Sequence, residues 1–278
     1  MSVRFTRAAA LAGGLVALLA GAAVAQGQDG GSLAARVAAA PDGEVRMHFT
    51  SRPGLCGNAD AERTMFGSTG DPGRTYMHTQ SWTNAGPTRQ MECLEGPTYL
   101  RLRVSGGEVS DVSARVARGF PAASGRVTEL GRVPAREAGS YLFALAERTA
   151  DGEVGEGAVF AATLPDSVDA SRRLLRIARS EVVRKEARSA AVYWLAEQAG
   201  AEATKGLASL VNDRDQGRAT REAAVFSLSQ RPRAESVPEL IRIARTHRDG
   251  HIRRAALFWL GQSGDPRAVA LFEELLGN

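Results

Sequence analysis

Three octets decide how this chain reads: Arg188–Leu195 is RSAAVYWL, Arg221–Leu228 is REAAVFSL and Arg253–Leu260 is RRAALFWL. They begin 33 and 32 residues apart. A fixed period of 20–50 residues is the signature of stacked helical repeats, because one helix pair cannot bury its own apolar face. Ala190, Ala191, Ala223, Ala224, Ala255 and Ala256 are small enough to let helices approach closely, and Leu195, Leu228 and Leu260 fill the space between layers. The pattern runs backwards as well. Ala158-Val159-Phe160 lies 33 residues before Ala191-Val192-Tyr193.

The spacing predicts units at about 134–166, 167–199, 200–232 and 233–263, each with an outer helix, a polar loop and an inner helix bearing the octet. A lone helix follows at 265–276. Asp265 is placed to cap it, Pro266 sits in its first turn, and Val269, Phe272, Leu275 and Leu276 give it an apolar face.

These residues resemble HEAT repeats in the short form common in bacterial proteins. The inner helix of that family begins Val-Arg-x-x-Ala-x-x-Ala-Leu-Gly. Ile252-Arg253, Ala256 and Leu260-Gly261 follow it, with Trp259 where the family usually has Ala. Gly264-Asp265-Pro266-Arg267-Ala268 resembles the family's linker into the next helix. The resemblance covers the C-terminal half only. It implies a right-handed superhelix of antiparallel helix pairs that binds proteins or peptides.

Two residue sets are candidate partner-binding sites. The first is aromatic: Phe160, Tyr193, Phe226 and Phe258 hold one repeat position, and Trp194, Ser227 and Trp259 the next. Adjacent helical residues are 100° apart, so the two columns cannot be equally buried. Either column can be interlayer core or a stack of anchors, and the sequence leaves that open. The second set is basic. Arg172, Arg173, Arg176 and Arg179 form one outer stripe and Arg242, Arg245 and Arg248 another, either a solvated face or a site for an acidic partner. The recurring Arg188, Arg221 and Arg253 are expected to pair with loop acids such as Asp215 and Asp249 as a structural ladder.

The N-terminal half reads differently. Val45, Met47 and Phe49 alternate with polar residues, as do Leu100, Leu102 and Val104 and then Val112, Ala114 and Val116. Ser105-Gly106-Gly107-Glu108 supplies a hairpin turn between the last two runs. A further strand is expected at Arg126–Arg132. The region between Cys56 and Cys93 is polar, with Met65, Phe66, Tyr76 and Trp82 as its few core candidates. The expected class is α+β: a small disulfide-bridged β-rich domain at 42–132, then an all-α HEAT-like right-handed solenoid at 133–278.

Residues 1–25 read as a secretory signal peptide. Arg4 and Arg7 precede the apolar stretch Ala8–Val24, and Ala23-Val24-Ala25 predicts cleavage after Ala25. Residues 26–41, rich in Gly and Ala, are expected to be a flexible leader. The address is secreted or periplasmic, with no transmembrane span after cleavage. In that setting the pair Cys56 and Cys93 reads as a disulfide. The formal charge is +4, two of which lie in the signal, and Lys occurs only at 185 and 205. The Arg, Ala and Gly bias fits GC-rich bacterial coding, so it does not point to nucleic acid.

Signals for chemistry are poor. His247 and His251 are separated by the break Asp249-Gly250, and no H-E-x-x-H is present. Gly67-Ser68-Thr69-Gly70 is neither a nucleophile elbow nor a phosphate loop. His48, His78 and Cys93 suit a cysteine nucleophile only if Cys93 is reduced. No catalytic, metal or cofactor residue is assigned. The reading is an exported, non-catalytic scaffold or adaptor that binds a protein or peptide of the cell envelope. An anionic envelope polymer is a further partner class, and self-association through the C-terminal helix is open. The alternatives are an envelope enzyme or enzyme subunit with its site in the N-terminal domain, and a self-assembling structural protein.

Overall fold

The computed structural model describes residues 31–58, 65–67, 75–77, 93–123, 125–166, 168–198 and 200–277. The signal segment, His78, Trp82 and the Ser68-Thr69-Gly70 stretch lie outside them.

The alternating runs become a four-stranded sheet, ordered β7-β6-β1-β8. Its strands are β1 (Gly43–Phe49), β6 (Thr98–Ser105), β7 (Glu108–Val116) and β8 (Val127–Arg132). Short strands β2 (Gly57–Asn58), β3 (Met65–Gly67), β4 (Thr75–Met77) and β5 (Cys93–Leu94) form two small ladders beside it. Val45, Met47, Phe49, Leu100, Leu102 and Val104 are all buried on one face. The β6–β7 hairpin turns on Gly106 and Gly107, both left-handed (φ +60° and +79°), as a two-residue turn of matching twist requires. β8 pairs parallel to β1, so the chain crosses the sheet after β7. Phe120 in that crossing lies beneath Arg46, Arg101 and Arg115, whose guanidinium carbons stand 5.9, 4.9 and 5.1 Å from its centroid.

The helices are α1 (Leu33–Ala38), α2 (Ala135–Arg148), α3 (Gly152–Ala162), α4 (Ala170–Arg179), α5 (Lys185–Ala196), α6 (Ala201–Asn212), α7 (Arg218–Ser229), α8 (Arg233–Thr246), α9 (Gly250–Ser263) and α10 (Pro266–Leu276). The octets lie on α5, α7 and α9. α3, α5, α7 and α9 pack successively as an inner row, and α4, α6, α8 and α10 as an outer row. Ala191, Ala224 and Ala256, with Leu195, Leu228 and Leu260, are fully buried between layers.

Two expectations are corrected. The first concerns the leader. Its residues 33–38 form α1, because Ser32 caps that turn and Leu33 and Val37, one turn apart, enter the core. Glu137 of α2 accepts the Leu33 N–H at 2.6 Å and pairs with Arg36 at 3.5 Å. The second concerns the separate β domain. Residues 31–278 are one unit with a continuous core. β7 lies on α3, and a Cβ added at Gly157 would come within 3.1 Å of the Val112 carbonyl oxygen. Beyond β1 the backbone binds the end of the first repeat: Arg52 N–H donates to Leu164 O at 2.8 Å, and Asp166 N–H to Thr50 O at 3.0 Å. The sheet thus covers the first inner helix, and Gly at 157 is what permits the approach.

Candidate functional site

The two aromatic columns part company on the inner row. Trp194 is 6% exposed and Ser227 is buried, while Trp259 is half-buried. Tyr193 and Phe226 are each 39% exposed and Phe258 is 58% exposed. The 100° step between neighbours turns the second column into the stack and leaves the first on the surface. Each tryptophan braces two aromatic rings. Trp194 lies 4.8 Å from Phe160 and edge-on to Tyr193 at 5.1 Å. Trp259 lies 4.9 Å from Phe226 and edge-on to Phe258 at 4.9 Å. These offsets suit aromatic pairs. Phe160 holds the same repeat position on α3 yet is 8% exposed. Gly157, one turn earlier, lies against Val112 of β7, and the Trp194 ring closes on Phe160 from the next layer. The exposed row therefore starts at Tyr193. One turn before its members stand Ser189, Glu222 and Arg254, all exposed.

The basic stripes are not free cationic faces. Arg179 binds Asp213 at 3.2 Å and Ser209 at 2.9 Å, tying α4 to α6. Arg173 reaches Glu147 of α2 at 3.5 Å, with Phe143 5.1 Å below its guanidinium. Arg245 pairs with Glu274 of α10. Arg172 and Arg242 pair locally with Asp169 at 3.2 Å and Glu239 at 2.8 Å. Arg176 is exposed. The partners of Arg173, Arg179 and Arg245 come from neighbouring units, which the sequence order of the stripe does not reveal.

The recurring arginines are half-buried beside the loops. Arg221 pairs with Asp249 at 3.3 Å. Asp249 also caps α9 by accepting the His251 N–H, and this bond, with the Arg221 charge, holds its carboxyl below the usual range. Arg253 donates to His247 O at 2.7 Å and Arg188 to Ser180 O at 3.5 Å. Asp215 departs from the expected ladder: among the described residues no ion pair joins it to Arg188 or Arg221. A groove of about 380 Å³ runs there between α5 and α7, with Lys185, Arg188 and Gly217 on its wall. Aligning the helix starts Asp249-Gly250 and Gly217-Arg218 is the sequence signal that marks this layer as different.

Arg231, which the sequence does not single out, is densely bonded. It is buried and donates to the carbonyls of Ala196 at 2.8 Å and Gly200 at 2.8 Å, and also to Gln198 O. It further binds Thr204 at 3.1 Å and Glu235 at 2.8 Å. It satisfies carbonyls of the α5–α6 junction, among them that of Ala196, the last residue of α5.

His247 is structural. It accepts the Asp249 N–H at Nδ1, and Nε2 faces Val211 O at 3.2 Å. Among the described residues no three His, Cys, Asp or Glu side chains form a metal cluster, and no helix is long and apolar enough to cross a membrane.

Residues 204–278 match the family model of HEAT repeats, spanning α7 to α10 and most of α6. No curated protein matches the chain. The four-stranded sheet and the first two helix pairs lie outside the matched residues. With the octets on one row of stacked helices and the match on the layers that carry two of them, the helical repeats of residues 204–278 are of the HEAT type.

Proposed function

We propose that this chain is an exported, non-catalytic scaffold or adaptor whose inner row receives a protein or peptide partner. The observation that carries this is the exposed row Tyr193, Phe226 and Phe258 on three successive helices. Such rings make effective interface anchors. Packed helices stand about 8–10 Å apart and an extended peptide rises about 3.3 Å per residue, so a peptide crossing the row meets one ring at about every third residue. Trp194 and Trp259 hold the row in place beforehand, so binding proceeds with little backbone change. HEAT repeats commonly mediate protein–protein contact, which agrees with this use.

Export rests on the signal-like segment ending at Ala25 and goes with a Cys56–Cys93 bridge. Cys56 is buried, and β2 pairs with β5 so that Asn58 faces Cys93 across the ladder. Among the described residues there is no free cysteine. The right-handed coil of the array belongs to the same proposal.

The test is selection of peptides from a random displayed library on residues 26–278. The expected result is binding that falls at least tenfold in the combined Tyr193→Ser, Phe226→Ser and Phe258→Ser variant, measured well below its Tm with circular dichroism showing the helical fold retained. Equal binding to that variant contradicts the proposal. A second reading, self-association through α10, is favoured by exposed Val269, Leu275 and Leu276. Light scattering of the wild type and of Leu275→Ser, Leu276→Ser tests it, and a monomer in both rejects it.

A further inference from the structure

One layer breaks a pattern that the next layer keeps. In the α7–α9 layer, Arg221 meets the carboxylate of Asp249, and that carboxylate also caps α9. In the α5–α7 layer, Arg188 holds the octet position of Arg221, and Gly217 holds the helix-capping position of Asp249. Gly217 has no carboxylate, and α7 begins with no side-chain cap. Among the described residues the Arg188 side chain makes one hydrogen bond, the long 3.5 Å bond to Ser180 O, where its counterpart Arg253 bonds its own loop at 2.7 Å. A guanidinium carries five donors, so most of Arg188 is uncommitted.

The space is open as well as chemically unmatched. The groove between α5 and α7 measures about 380 Å³ and contains Lys185, Ser189 and Thr220 beside Arg188. On α5 its wall reaches Val192, next to Tyr193, and on α7 it reaches Ala223, one turn before Phe226. Glu181 and Asp215 stand at its exposed rim.

We infer that this groove is a carboxylate subsite, where an acidic side chain of the bound peptide takes the place that Asp249 fills one layer further on. The inference rests on the inner row being a peptide-binding face. It adds a specificity: an Asp or Glu next to the residues that meet Tyr193 and Phe226. Arg188 supplies paired N–H donors, and the unfilled start of α7 supplies backbone N–H groups and the positive end of the helix dipole.

Gly217→Asp is the natural test, because it restores the missing carboxylate in cis. A Cβ at Gly217 meets nothing within 4 Å, and its φ of −58° and ψ of 154° suit a capping Asp. N-acetyl-aspartate amide and its asparagine counterpart are titrated into residues 26–278, following the Arg188 side-chain N–H and the backbone amides of Arg218 to Thr220 by NMR. The expected result is a saturable shift with the aspartate probe, at least tenfold weaker with asparagine. In Gly217→Asp the shift is lost and Tm rises by about 1–3 °C. Equal response to both probes, or an unchanged response in Gly217→Asp, overturns the subsite. Library peptides separate the two claims. If they bind through the aromatic row with no acidic preference and bind Gly217→Asp equally, the subsite falls and the peptide-binding face stands. If the aspartate probe saturates the groove but no peptide binds the row, a peptide as the source of the carboxylate is overturned.

Discussion

The indole of Trp194 lies against the ring of Phe160, one layer earlier, at 4.8 Å and a 37° tilt. It is a joint between layers, whereas its neighbour Tyr193 packs edge-on against it from the surface. Trp194→Ala should therefore destabilise the fold by about 3–5 kcal/mol, and Tyr193→Ala by about 1 kcal/mol. Denaturant unfolding of the two variants checks this. Equal losses would mean that the surface row is also core.

Arg231 makes its bonds in a buried setting, so its removal takes a side-chain donor from the Ala196 and Gln198 carbonyls at the α5–α6 junction, while Gly200 O keeps the Ala203 N–H. Arg231→Ala should cost about 3 kcal/mol or more. Arg231→Lys should recover little, since an ammonium cannot span Ala196, Gly200 and Glu235 together. A loss under about 1 kcal/mol, measured by the same unfolding, would contradict this account of the junction.

Helix propensity and packing make opposite predictions at Gly157. Propensity alone favours Gly157→Leu by about 1 kcal/mol. The added Cβ, however, would stand 3.1 Å from the Val112 carbonyl oxygen and 3.3 Å from its Cβ. Packing should win, with a net destabilisation of about 2 kcal/mol. A more stable variant would show that β7 does not need this close approach.

Acid should weaken the array through its capping carboxylates. The side-chain and backbone hydrogen bonds of Arg267 lower Asp265 from 3.8 to about 2. Asp249 is lowered by its bond from His251, and Glu235 by Thr204 and Arg231. The folded state binds fewer protons than the unfolded one, so this stability is complete above about pH 5. It is lost as pH falls towards about 2. Asp265→Asn should give a flatter dependence of Tm on pH between 4 and 2 than the wild type. Parallel curves would remove Asp265 from this role.

Much of the fold is legible in the octets, because a repeat writes the same burial demand three times. Alternation at Val45, Met47 and Phe49 and the Gly106-Gly107 turn make the hairpin and central strand legible too. The docking of the sheet on α3 is not legible. It depends on one glycine opposite one strand residue 45 positions earlier, and no periodicity records such a pair. α1 is too short for a periodic signal, although Ser32, Leu33 and Val37 carry its cap and its face. For the site, the sequence finds the aromatic columns but not which one is exposed, since that is fixed by how layers stack. It also finds Arg188 but expects a loop acid such as Asp215 or Asp249 for it, because it pairs by loop position. The capping position is what selects Asp249 for Arg221 and leaves Gly217 opposite Arg188.

The central claim is that the inner row is the face that meets a partner. Its most direct test is the NMR footprint of a library-selected peptide on residues 26–278. The account predicts shifts centred on Tyr193, Phe226 and Phe258 and their neighbours on α5, α7 and α9, with α4, α6 and α8 unmoved. A footprint on the outer row or on the sheet, with the three rings silent, would contradict it.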